Sequence, residues 1–380
     1  MRRFIQYLSL ITIVVVSCQK TDNNPDRIYS EGGLISFSTR VETRAPMITE
    51  LNGETFGVYG YKFPNLTNWG TYKAGATPNL FYNLPVECTE EGVCEYYADS
   101  NTALEGQELK EGKNVIEGQL LWELSQRYSY FAYYPYAALN NVTNYKPSQL
   151  TDEDNNPIYG TPYIEYTLPI AEESSVDPDN MLDVMTAKVT DWSPSNGTVV
   201  RFEFNHRLFC IELNGHNFNS DDVVISNLSM KISGIRYNTA KIYMDGTLET
   251  QPISADDGSY ININNVTFPM IGADERTSIS ANADVSLTEN KLIALIPQTY
   301  EPKYEGEVPV GLTIRIDFDK INVVNKQEVR IPVSREATYN IDFIEKLKYG
   351  LNLNFVGNDV ILVVAEPMTW DSKNIQHTFD

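Results

Sequence analysis

No stretch of this chain holds apolar residues at a 3.6-residue spacing for three turns, which excludes architectures built on long amphipathic helices. Apolar residues come instead in short runs of aromatic and β-branched side chains, divided by Gly, Pro, Asn and Asp. Phe56–Tyr61, Tyr128–Tyr136, Val199–Leu213, Val310–Phe318 and Val360–Val364 are the clearest of these. The counts agree with the pattern: 24 Tyr and 15 Phe build strands, while 22 Gly and 19 Pro punctuate them. An all-β chain is predicted, and the strand spacing points to two antiparallel sandwiches in tandem. Pro194-Ser195-Asn196-Gly197 is the best break, dividing residues 46–195 from residues 196–380.

Before the first domain comes a segment of another kind. Arg2 and Arg3 precede an apolar run, Phe4 to Val16, too short for a stable span of ~20 apolar residues, so residues 1–17 read as an export signal. An uncleaved anchor is the alternative. The run ends in Val15-Val16-Ser17-Cys18, which resembles a bacterial lipobox and makes Cys18 the candidate lipidated residue. Residues 18–45 then hold a polar tether, a strand-like Leu34-Ile35-Ser36-Phe37-Ser38, and Arg40 and Arg44 in an exposed polar setting. Those two arginines are either a processing site or ordinary surface residues.

Charge narrows the partners. With 29 basic and 51 acidic residues the chain carries −22, and loss of Arg2 and Arg3 makes it 27 − 51 = −24. Such a surface repels nucleic acid and anionic headgroups, and no cluster of Lys and Arg interleaves with aromatics. Beyond Cys18, three cysteines remain. Cys88 and Cys94 flank a polar turn and can form a small disulfide loop, stay as two thiols, or hold a metal, though no second cysteine pair or nearby histidine supports zinc. Cys210 lies in a strand-like run and is expected to be a buried thiol.

Little in the chain suggests catalysis. Its histidines are His206, His216 and His377, and His206 shares a strand face with Phe202 and Phe204, where a packed, hydrogen-bonded ring is expected. No nucleophile elbow, zinc-protease helix or dinucleotide fingerprint is present, which leaves a non-enzyme without cofactor or metal, or a hydrolase whose carboxylates meet only in the fold. Thr151 to Pro157 lacks the glycine and distal Glu of a calcium hand and reads as a solvated turn. The tyrosines of Tyr128–Tyr136 are either core or a sugar-stacking platform, with Tyr133 as the residue to test.

The order of these features resembles the fimbrillin-like lipoproteins of Bacteroidales, the pilins of type V pili. The resemblance rests on Cys18, on Ile35-Ser36-Phe37-Ser38 before Arg44-Ala45-Pro46, and on Phe56-Gly57-Val58-Tyr59-Gly60-Tyr61. It continues in Tyr130–Pro135, in Phe204-Asn205-His206-Arg207-Leu208, and in Pro367-Met368-Thr369-Trp370. It implies two tandem transthyretin-like β-sandwich domains and export as a lipoprotein to the outer membrane. It further implies cutting after Arg40 or Arg44 by an arginine-specific protease, which removes the lipid anchor and the first strand. The vacated groove would be filled by a C-terminal strand of another pilin subunit, giving a head-to-tail polymer. Within Asn358–Asp380 the candidate donor is Val360, Ile361, Leu362, Val363 and Val364. The polar last ten residues leave a tip or accessory subunit open, the adhesion target is unspecified, and a surface glycan-binding lipoprotein is the alternative.

Overall fold

The computed structural model describes residues 33–369, apart from 42–50, 90–93, 97–114, 117–118, 140–143, 150, 152–153, 155–158, 171–173, 253–260, 289–290 and 304–307. Cys18, Arg44, His377 and most of the 151–157 turn lie outside the described residues.

Seven strands close into a barrel: β1 (Ser36–Val41), β2 (Thr55–Pro64), β3 (Phe81–Cys88), β4 (Cys94–Glu95), β5 (Gln126–Tyr134), β6 (Met185–Trp192) and β7 (Val199–His206). Their order around the barrel is β1, β7, β6, β5, β2, β3, β4, then β1 again. Its interior takes Phe56 and Val58 from β2, Tyr128, Tyr130 and Ala132 from β5, and Phe202 and Phe204 from β7. Alternation places the next residues of β2 and β5, Tyr59, Tyr61, Phe131 and Tyr133, on the outside, yet they too are buried. A strand with both faces covered has no solvent side, which is why Tyr128–Tyr134 is aromatic on both faces, broken only by Ser129 and Ala132. Such crowding needs glycine: a Cβ at Gly57 would sit 2.1 Å from the Tyr133 ring, and one at Gly60 2.7 Å from Phe81. The β2–β3 register shifts between Val58 and Gly60, a bulge of the kind those glycines suggest.

The outer tyrosines begin a second core. They share it with a four-stranded sheet ordered Leu248–Pro252, Tyr237–Tyr243, Tyr163–Thr167, Tyr145–Pro147, which joins segments from either side of the Pro194–Gly197 turn. That core continues into two further sheets. In one, β8 (Phe209–Asn217) pairs with Asp284–Ser286 and, in parallel, with the later strand Leu347–Val356. In the other, β9 (Val223–Ser233) pairs with β10 (Leu312–Val324), which forms a long hairpin with β11 (Gln327–Tyr339). The hairpin turn is Asn325-Lys326, both at positive φ, matching the twist that a two-residue loop requires. Strand β12 (Leu347–Val356) turns at Gly357 into β13 (Asp359–Val364), and Met368–Thr369 returns to pair with the start of β12. The chain is nearly all-β, with one four-residue α-helix at Trp69–Tyr72 among the described residues.

One local expectation is corrected. Val199–Leu213, one of the strand-like runs and continuous in sequence, is two strands in different sheets, β7 in the barrel and β8 beyond it. The chain crosses over at Arg207, whose N–H donates to the Val184 carbonyl at 2.8 Å. Its buried guanidinium donates to the Gly246 carbonyl and pairs with Glu345 at 2.7 Å. Burial lowers the Arg207 pKa and raises that of Glu345, while each partner's charge opposes the other's shift. Beside it His206 Nδ1 lies 2.7 Å from Asp183, a packed and hydrogen-bonded ring. Two buried polar side chains in succession, each with a fixed partner, end one strand and redirect the next.

Candidate functional site

The strand read from sequence over residues 34–38 lies inside the barrel seam. From Ser36 to Val41 its backbone runs parallel to β7 through six register pairs, whereas its other edge meets β4 at one pair, Phe37 with Cys94. The entry to the strand is also held: Ile35 N–H donates to the Leu120 carbonyl at 2.8 Å, and Trp122 N–H to the Gly33 carbonyl at 3.1 Å. The Tyr96 hydroxyl donates to the Ile35 carbonyl at 2.9 Å and accepts from Leu120 N–H at 3.1 Å. Burial keeps that hydroxyl far above the ordinary tyrosine pKa, so it stays a donor at any physiological pH.

Side chains seal the strand more than hydrogen bonds do. Ile35 is 0% exposed and Phe37 4%. Four rings surround Phe37, with centroids at 5.4 Å (Tyr96), 5.5 Å (Phe202), 5.6 Å (Tyr130) and 5.9 Å (Phe81). These come from β3, β5, β7 and the residue after β4, so no local sequence signal marks them as one cage. Cys88 and Cys94 are disulfide-bonded, tying β4, the strand beside β1, to β3. Of the two candidate cleavage residues, Arg40 lies in the β1 ladder opposite Glu203.

The candidate donor lies in the other core, as β13 on the edge of the β8–β12 sheet. Its register with β12 is complete from Val356–Asp359 to Leu351–Val364. Val360 is buried and Leu362 packs partly against the core, but Ile361, Val363 and Val364 are 51%, 39% and 45% exposed. The Arg335 guanidinium donates to the Val360 carbonyl.

The aromatic tract is core. Tyr128, Tyr130 and Tyr133 are fully buried, and Tyr133 donates to Asn83 Oδ1 at 2.5 Å, so none of the three can stack on a sugar. His216 pairs with Asp284 at 2.6 Å on a partly exposed strand. Cys210 is a buried free thiol whose pKa is pushed up to about 12 by burial. Among the described residues no group of three or more His, Cys, Asp or Glu could hold a metal ion, and no helix is long and apolar enough to cross a membrane.

A barrel seam is thus closed by the strand at residues 36–41, and a shallowly seated strand edges the sheet at residues 359–364. The fimbrillin-like family profile matches residues 43–354, and the chain belongs to that family. Among solved structures, a fimbrial protein from Bacteroides vulgatus aligns over 88% of this chain and 99% of its own, at a TM-score of 0.56 and 17% identity, and shares the fold. A protein described as a cell adhesion protein from Bacteroides ovatus covers 90% of this chain and 99% of its own, at a TM-score of 0.44 and 12% identity. One from Bacteroides uniformis covers 89% and 98%, at 0.43 and 14%. No curated protein matches the chain.

Proposed function

We propose that this chain is a non-enzymatic structural or adhesive subunit of a cell-surface pilus, exported as a lipoprotein through Cys18 and assembled by strand exchange. A protease cuts after Arg40 or Arg44, β1 leaves with the tether, and β13 of the next subunit takes its place. Membership of the fimbrillin-like family supports the pilus reading and a cell-surface location. In this reading the barrel and the C-terminal sheets serve as the two transthyretin-like units.

The observation that carries the exchange step is the seating of β1. Among the described residues one edge of β7 is paired by this segment alone, and the segment follows on the tether. Its departure would leave a row of unpaired N–H and C=O groups and an open aromatic cage, a costly state until another strand enters. A head-to-tail exchange of this kind does not close on itself, and a filament results. Mass spectrometry of pili sheared from cells tests it: subunits beginning at Val41 or Ala45 are expected, and subunits still beginning at lipidated Cys18 would overturn it.

A further inference from the structure

The seam filled by β1 has a side-chain preference as well as a backbone one. Ile35, Phe37 and Thr39 point the same way along the strand, and the central one occupies the four-ring cage of Phe81, Tyr96, Tyr130 and Phe202. The Phe202 ring lies nearly parallel to Phe37, 27° between planes, while Tyr130 and Phe81 meet it edge-on at 80° and 65°. A cage of that shape fits a flat ring, and an aliphatic side chain leaves part of it empty.

Strand β13 matches β1 in length, six residues each, and in pattern. Val360, Leu362 and Val364 share one face, a β-branched, large, β-branched triplet like Ile35, Phe37 and Thr39. Leu362 is the middle of the three, so aligning the triplets brings it to the Phe37 position whichever way the incoming strand runs. Resting on the strand-exchange reading, we propose that the Phe37 cage is the specificity pocket of assembly, filled in the polymer by Leu362 of a second copy of this chain and underfilled by it. The underfilling has a consequence: β1 holds its own seam better than β13 can, so exchange waits for the covalent cut. A chain of this kind stays monomeric until it is processed.

The test uses the full chain after limited cleavage by an arginine-specific endoprotease, with the product starting at Val41 or Ala45 isolated by mass, and uncut chain as control. Fluorescein-labelled peptides of residues 33–41 and 358–366 are exchanged into it and followed by anisotropy. The 33–41 peptide is expected to bind the cut chain alone, Phe37→Leu to weaken it about tenfold, and Phe37→Ala about a hundredfold or more. The 358–366 peptide binds more weakly than 33–41, and Leu362→Phe in it tightens binding about tenfold. Equal binding of the Phe37→Ala peptide, or no gain from Leu362→Phe, overturns the pocket while leaving strand exchange standing. Capture of 33–41 without 358–366 removes Leu362 as the occupant. Capture of neither peptide removes the strand-exchange reading and the pocket with it.

Discussion

Strands β1 and β13 are both six residues long and each is held by six backbone pairs along one edge, β1 against β7 and β13 against β12. Their hydrogen bonding is close to equal, so it cannot decide which strand stays put. Side-chain burial can. The β1 segment buries Ile35 and the large Phe37 ring almost wholly, while β13 buries only Val360 as deeply and leaves Ile361, Val363 and Val364 in contact with water. At about 25 cal/mol per Å² of apolar area, a caged phenylalanine outweighs any single contact that β13 makes. The leading strand is therefore the firmly seated one, and the trailing strand is the one that thermal motion can lift.

Mutations can break that contrast. Phe37→Ala should lower unfolding free energy by about 3–5 kcal/mol in urea titration, the range for an emptied aromatic site. Tyr96→Phe keeps the ring but strips the hydroxyl from the Ile35 carbonyl and the Leu120 amide, and should cost about 1–3 kcal/mol. Leu362→Ala, half-buried, should cost about 1–2 kcal/mol. Ile361→Ala should stay within about 0.5 kcal/mol. A β13 series as damaging as the β1 series would erase the distinction. Native-state hydrogen exchange should show the same order, with β13 amides exchanging before those of β1.

Cys210 reports on how far an opening spreads. It sits in the second core, and burial keeps its thiol protonated until the pH nears about 12, so native alkylation at pH 8 should be slow and should rise with pH. Removal of β1 should leave that rate unchanged. Faster alkylation after cleavage would mean that loss of the strand disturbs both cores.

Much of this was legible in the chain itself, for identifiable reasons. Ile35-Ser36-Phe37-Ser38 alternates, so it reads as a strand, and the glycines of Phe56–Tyr61 signal the close approach that Tyr133 and Phe81 make. The Phe37 cage was not legible, because its four rings arrive from distant parts of the chain and meet only when β1 pairs with residues more than 160 positions away. The crossing at Arg207 was hidden by the alternation on either side of it. Its cause, the paired Arg207–Glu345 and His206–Asp183 contacts, is tertiary. Period-two patterning puts Tyr130 and Tyr133 on opposite faces of one strand and does not say that each face meets a core of its own.

The central claim, that β13 of one subunit replaces β1 of the next, is tested most directly by a cysteine pair. Val200 stands opposite Phe37 on β7, in the barrel core, while Leu362 packs against the other core of its own chain. In cells carrying Val200→Cys together with Leu362→Cys, assembled pili should run as a ladder of disulfide-linked multimers on non-reducing gels, collapsing to one band on reduction. Pili that assemble normally yet run as single subunits without reductant would contradict the account.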